Sequence, residues 1–342
     1  MARLTNIILE ERSSYALRPQ TKLDQYGLPF TLNPIIGCFM GCRYCFSPFV
    51  VYGYQPNRKE LFFQNAHVKL DKAKHLDAEL LRYSLLPQCL KRVQINETSE
   101  YYQPQVLRQL RAENKPDLMA EILNVFKKHW DNGNYWMVHI LTKSPLILNH
   151  LALLKDMREM VQIEISFAAH DEKVSRSIEF FTPAISRRLD TVEKLAHEGI
   201  FVRIMAMPFC GDQGDLQKLK KHTFDRGAVA FKNKGLNYYN NWNDLQQQMT
   251  FEKFLKTKIP TGKGRIDAKN ESLIIKSGEF VKTPKKNYRY KTVMMPKMDE
   301  NFKATVNWGA ITRMKERFEN RKMKLIDCGY RKCGNIDWGY II

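Results

Sequence analysis

Three cysteines have the clearest capacity for chemistry in this sequence. Cys38, Cys42 and Cys45 are spaced C-x3-C-x2-C within Gly37-Cys38-Phe39-Met40-Gly41-Cys42-Arg43-Tyr44-Cys45. Thiolates are soft ligands that select zinc, copper or iron–sulfur clusters. A cubane cluster ordinarily takes four thiolates, so three leave one iron open to another ligand. Structural zinc would need a fourth ligand, and the nearest, His67, stands outside the usual finger spacing. A disulfide cannot consume three cysteines, and the total of seven is odd. On spacing, a cluster is favoured over zinc.

The elements around the cysteines alternate between strand and helix. Residues 31–36 predict a short first strand feeding the cysteine loop, with Pro34 making it irregular. Helical spacing follows at Leu76, Leu80, Leu81 and Leu85, closed by Pro87. Arg92–Asn96 predicts strand two, and a helix after Pro116 carries Leu118, Ile122, Val125 and Phe126 on one face. The near-continuous apolar run Tyr135–Leu141 predicts a buried strand three. Ser144 and Pro145 suit the N-cap and first position of the next helix. Val161–Phe167 predicts strand four, and the helix carrying Ile185, Leu189, Val192 and Leu195 stops at Gly199. Ile200–Met207 and Ala228–Phe231 predict strands five and six. This alternation predicts a parallel sheet with right-handed crossovers, either a partial barrel or a doubly wound sheet. Neither G-x-G-x-x-G nor G-x-x-x-x-G-K-[ST] occurs.

The flanks differ. Residues 1–30 show little periodicity and predict an extension. The pattern breaks at Asn240–Asp244, which predicts a core over 31–240 and a separate C-terminal region over 241–342. That region is rich in Lys, Gly and Pro, with a weak strand signal at Ser272–Ile275 and a helix predicted over 310–323. It holds 22 Lys and Arg against 11 Asp and Glu, a surplus of +11 within a net charge of +19. A basic surface attracts phosphate polyanions, or it simply keeps the chain in solution. No apolar run reaches membrane-spanning length, and Met1–Asn6 lacks the apolar core of a signal peptide. Both point to the cytoplasm, where thiols stay reduced.

The cysteine spacing, with an aromatic before the last cysteine, resembles the signature of the radical S-adenosylmethionine (radical SAM) enzymes. The wider string Leu32-Asn33-Pro34-Ile35-Ile36-Gly37-Cys38, then Cys42-Arg43-Tyr44-Cys45-Phe46, resembles their spore photoproduct lyase-like branch. Glu97-Thr98-Ser99-Glu100-Tyr101-Tyr102-Gln103-Pro104, Thr142-Lys143-Ser144, Ser166, Glu179-Phe180-Phe181-Thr182-Pro183 and Arg188-Leu189 continue the likeness over roughly residues 31–210. The resemblance implies an α/β fold, an open (β/α)6 partial TIM barrel with a basic α+β C-terminal extension. It implies a 4Fe-4S cluster on Cys38, Cys42 and Cys45 and S-adenosyl-L-methionine on the open iron. Tyr44 would lie against the adenine, and Ser99, Lys143 and Ser166 would contact SAM. Arg188 would serve SAM or the acidic Glu179. The alternatives are a turn lysine at 143 and satisfied strand-end hydroxyls at Thr98 and Ser166. A reducing partner such as flavodoxin or ferredoxin would supply one electron. The SAM sulfonium would then break to methionine and a 5′-deoxyadenosyl radical, which takes hydrogen from substrate.

Departures from that branch are informative. Glu97 stands where spore photoproduct lyase has its hydrogen-donating cysteine, and Phe46 stands where it has a tyrosine. Cys89 reads as a small buried hydrophobe, leaving Cys210, at the end of strand five, as the thiol nearest a barrel mouth. Catalytic expectations therefore fall on Cys210 and Glu97. Cys328 and Cys333 are either free thiols in a terminal loop or part of a second metal site. Nucleic acid is the expected substrate class, with Lys285-Lys286-Asn287-Tyr288-Arg289-Tyr290-Lys291 able to track phosphates and stack a base. A peptide or protein substrate is the enzymatic alternative, and a non-catalytic nucleic-acid-binding protein with a structural metal is the other.

Overall fold

A computed structural model describes residues 5–19, 29–53, 55–86 and 90–233, with short strand segments at 22–23 and between 273 and 340. Six parallel strands form the centre: β1 (Phe30–Leu32), β2 (Arg92–Ile95), β3 (Met137–Thr142), β4 (Val161–Ser166), β5 (Phe201–Ala206) and β6 (Ala230–Asn233). They lie side by side in chain order, and Arg18–Pro19 adds an antiparallel edge beside β1. This order decides between the two architectures the alternation allowed. A doubly wound sheet reverses direction at a switch point. Here every crossover steps the same way, so right-handed crossovers put all the helices on one face and the sheet curls into an open partial barrel.

The strands alternate in a way that marks the two faces. Val161, Ile163 and Ile165 of β4 belong to the apolar core with Leu154, Leu189, Val192 and Leu195 of the helical layer. Gln162, Glu164 and Ser166 between them point to the other, inner face, and are just as buried. Arg92, Gln94, His139 and Arg203 repeat this on neighbouring strands.

The helices follow from local signals. In Leu118–Asp131, Leu118, Ile122 and Phe126 are buried at i, i+4 spacing, and Asp117 caps the start by accepting from Met119 N and Ala120 N. Ser144 accepts from Leu146 N at 3.3 Å and opens the turn Pro145–His150. Ile185–His197 stops two residues before Gly199, whose φ of +73° only glycine adopts freely. One expectation is corrected. In Lys72–Arg82, Leu76 and Leu80 are buried but Leu81 and Leu85 are exposed, because Leu81 sits about 100° round the helix from Leu80 and Leu85 lies beyond the helix end. Pro87 and Cys89 lie outside the described residues.

The predicted strand 31–36 is two strands. Pro34 cannot donate to a ladder, so the chain leaves the barrel after Leu32, and Ile35–Ile36 pairs antiparallel with Val68–His67 in a second, three-stranded sheet. The third strand there is Asn6–Glu10, parallel to Asn65–Lys69. Residues 1–30 are thus not a plain extension. The partner of Asn6–Glu10 lies more than fifty residues away, so no local period announced that strand. The boundary near residue 240, the predicted helix 310–323, Lys285–Lys291 and Cys328 lie outside the described residues. The signal at 272–275 corresponds to Leu273–Lys276, paired antiparallel with Glu279–Lys282.

Candidate functional site

Ile35–Ile36 delivers the chain to the cysteine loop at the C-terminal ends of the barrel strands. Gly37 makes the entry, with φ +103°, and a Cβ there would stand 1.9 Å from the Asn65 carbonyl oxygen. Cys38 N donates to Phe62 O at 2.9 Å. On its far side the loop is bound to the segment after β4: Arg43 N donates to Ile178 O, Phe181 N to Met40 O, and Cys42 bridges Glu179. Gly37→Ala should therefore cost about 2 kcal/mol or more in stability. Chemical denaturation checks this, and a loss under 0.5 kcal/mol, roughly a surface substitution's effect, would contradict the assigned close approach.

Two side chains that the sequence reading left without a role clamp this loop. Gln103 Oε1 accepts from Phe39 N at 2.5 Å, and its Nε2 donates to Gly37 O at 3.3 Å and Glu100 O at 2.6 Å. Glu100 is buried and accepts from Thr142 Oγ1 (2.8 Å), Lys143 N (2.9 Å) and Tyr102 N (3.0 Å). Burial raises its carboxyl above the ordinary range, against those bonds. A glutamine directly before Pro104, at the N-cap of Pro104–Ala112, was the available signal.

The cysteines share one neighbourhood. Cys38 and Cys45 pack against Phe62 and Phe63, and also against a cluster of Met40, Cys42, Tyr44, Ala168, Ile178 and Cys210. Burial pushes the Cys38 thiol up to about 12 and raises Cys42 and Cys45 as well, with the neighbouring thiols adding to the rise at Cys38 and Cys42. These groups stay thiols until a metal displaces their protons. Among the described residues, no three His, Cys, Asp or Glu side chains stand close enough to hold one metal ion. His67, the candidate fourth zinc ligand, faces Glu10 at 2.6 Å instead. A cubane assigns each thiolate to a different iron, which calls for sulfurs spaced more widely than the ligands of one ion.

Beside the cysteines lies a polar hub centred on Glu179, which is fully buried. It takes Arg188 at 2.9 Å, Lys143 at 3.6 Å, Ser175 Oγ at 3.2 Å, Thr182 Oγ1 at 3.3 Å and the Tyr44 hydroxyl. Burial alone would raise Glu179, but Arg188, Lys143 and Tyr44 outweigh it and hold the carboxyl below its ordinary range. Lys143 Nζ also donates to Ser166 Oγ at 2.6 Å and lies over the Tyr44 ring, 5.8 Å from its centroid. Arg188 bonds Ser166 O at 2.9 Å.

The structure thus brings Tyr44, Lys143, Ser166 and Arg188 together. Arg188 is committed to Glu179. Ser99 is buried and accepts from Gly37 N at 3.2 Å, under the cysteine loop. Cys210 is buried in the cluster with Cys42 and Tyr44, its N–H donating to Ala168 O. Glu97 is exposed in the bend after β2. Thr98 N donates to Asn33 Oδ1 at 3.1 Å.

No protein-family model matches the chain. An uncharacterized protein of Methanocaldococcus jannaschii is 23% identical over 236 residues, 68% of this chain and 78% of its own length. An uncharacterized protein of Mycobacterium tuberculosis is 27% identical over 190 residues, which is half of that protein's length. Among solved structures, spore photoproduct lyase with bound AdoMet and dinucleoside spore photoproduct superposes on 91% of this chain and 79% of its own, with TM-score 0.51 and 13% identity. The complex with dinucleoside spore photoproduct alone gives the same coverage and score. The fold is the partial TIM barrel of the radical SAM enzymes. Its arrangement is similar to that of spore photoproduct lyase.

Proposed function

We infer that this chain is a radical SAM enzyme in which Cys38, Cys42 and Cys45 hold a 4Fe-4S cluster and the polar hub beside them holds S-adenosyl-L-methionine. The observation that carries this reading is one juxtaposition. A loop of three cysteines, Cys42 buried and Cys38 and Cys45 half-buried, and a Lys143–Ser166–Glu179–Tyr44 network meet at the C-terminal ends of parallel strands, where α/β barrels keep their functional groups. The donor set fits, because three soft thiolates would ligate three irons and leave the fourth for a chelating amino acid. When bound, the cluster and SAM supply one-electron cleavage of the sulfonium and hence a 5′-deoxyadenosyl radical.

The chain's own residues do the rest. SAM carries a carboxylate, an ammonium and a ribose, so it needs a few placed donors and acceptors in an otherwise apolar pocket. Lys143 offers a cation held in place by Ser166 and Glu179. Tyr44 offers a ring face, Ser99 a hydroxyl beneath the loop, and Arg188 fixes Glu179 and the end of β4. Cys210 offers a buried S–H at the mouth, suited to returning hydrogen to a product radical, and Glu97 lies on the rim. The net charge of +19 supports a nucleic-acid substrate. We assign residues 31–240 to the catalytic core and 241–342 to a basic C-terminal region. A flavodoxin or ferredoxin would be the electron donor, and the cytoplasm the setting.

Anaerobic reconstitution with iron and sulfide, then incubation with SAM and dithionite, tests the class. Formation of 5′-deoxyadenosine is expected, and a full cluster that leaves SAM intact would count decisively against it. Lys143→Ala should weaken SAM binding by ten-fold or more, on the order of one charge-assisted hydrogen bond. Iron content should stay unchanged. Equilibrium binding checks this, and unchanged affinity would remove Lys143 from the SAM site.

A further inference from the structure

Two histidines from different elements meet beyond the C-terminal ends of β4 and β5. The chain leaves β4 at Ser166 and runs through the buried Phe167, Ala168 and Ala169 to His170, just before the helix Glu172–Ile178. After β5 it runs through Cys210 into the helix Gln213–Phe224, which carries His222 in its last turn beside the buried Thr223. The two segments are tied together where Cys210 N donates to Ala168 O at 2.6 Å. His170 Nε2 stands 3.3 Å from His222 Nδ1, with ring centroids 5.1 Å apart and planes at 54°. His170 is half-buried and His222 is exposed.

A hydrogen bond between two imidazoles at the surface adds little to stability, because water offers each ring a similar bond. The pair is better suited to a metal. Imidazole is the commonest protein ligand for metals, and it binds as the neutral ring. Two imidazole nitrogens on one tetrahedral zinc, each about 2.05 Å from it, stand about 3.3 Å apart. That is the separation found here. Burial, and then the neighbouring His222, make His170 less basic than an ordinary histidine, which favours the neutral ring near pH 7. Asp215 and Asp171 act on His170 in the other direction, with Lys218 opposing them. Two carboxylates against one ammonium favour an incoming cation. Among the described residues no third side chain completes the set, so two positions of a tetrahedron fall to water.

We propose that His170 and His222 form a two-imidazole site for zinc or a similar divalent transition metal. The ion ties the segment after β4 to the helix after β5, across the same two segments that the Ala168–Cys210 contact joins. The site is distinct from the cysteine loop and does not rest on the radical SAM reading.

The test is equilibrium dialysis of the full chain against zinc, at about pH 7.5, where imidazole is neutral. Zinc held by cysteines is common to every variant, so the difference from the parent reports the histidine pair. Asn sets an amide oxygen where His222 carries Nδ1, and Gln sets one near where His170 carries Nε2. Neither amide is a usual zinc ligand. His222→Asn and His170→Gln should each bind one zinc fewer than the parent. The double variant should also bind only one fewer, because both rings hold the same ion. His222→Asp, with a carboxylate oxygen at the same reach, should keep the ion. The rise in melting temperature on adding zinc should be larger in the parent than in either amide variant, by about 5 °C at a hundred times the dissociation constant. Without zinc, all these proteins should melt alike, since neither side chain fills the core. Equal zinc uptake by the parent and both amide variants would overturn the proposal. Losses that add up in the double variant would mean two separate contacts, and would overturn it as well. So would amide variants that melt lower without zinc and lose the ion, with no recovery in His222→Asp, because the histidines would then be structural.

Discussion

Replacing Cys42 by Ala should abolish the brown chromophore after anaerobic reconstitution and reduce 5′-deoxyadenosine to background. The loss is all-or-none because each thiolate of a three-cysteine site holds a different iron and no spare thiolate stands on the loop. Cys210 is packed in the same cluster, but it enters from the end of β5 rather than from the loop. The fold should persist. Cys42 is small and lies among Met40, Tyr44, Ala168 and Ile178, so the truncation should cost about 1 kcal/mol, the typical value for a single substitution. Far-ultraviolet circular dichroism and a denaturation curve separate a lost cluster from a lost fold. A folded Cys42→Ala protein that retains both chromophore and SAM cleavage would refute the cluster assignment.

Glu179→Gln should destabilise the protein by about 3–5 kcal/mol at neutral pH, the range for breaking a buried ion pair by removing one partner. Arg188, 1% exposed, would lose its counter-charge, and Lys143 would lose one of two anchors. The pH dependence has a definite sign. Glu179 is held below its ordinary value of 4.5 in the folded chain. Its contribution is therefore complete above that value and is lost as pH falls through the lower folded one. The parent and Gln variant should differ most at neutral pH and converge in acid. Urea unfolding at pH 7 and pH 4 measures both. A difference under 1 kcal/mol at pH 7, where about 3 is expected, would mean that water reaches the hub and screens it.

The sequence by itself determined what depends on neighbours along the chain. The C-x3-C-x2-C loop, the alternation of strand and helix from 92 to 233, the Ser144 cap and the stop at Gly199 are all encoded within a few residues of where they act. Tertiary structure decided everything that depends on residues brought from afar. It chose the partial barrel, because strand order is set by crossovers and not by any single strand. It made Asn6–Glu10 a strand, because its partner, Asn65–Lys69, supplies the ladder. Glu179 became the hub of Tyr44, Lys143 and Arg188, and Gln103 the clamp of the cysteine loop, through contacts spanning from 9 to 135 residues. The polar inner stripe was visible as alternation in Val161-Gln162-Ile163-Glu164-Ile165-Ser166. Alternation alone would have placed Gln162 and Glu164 in water. Only the curl of the sheet turns that second face inward, and burying those amides and charges is what gives the barrel a polar interior.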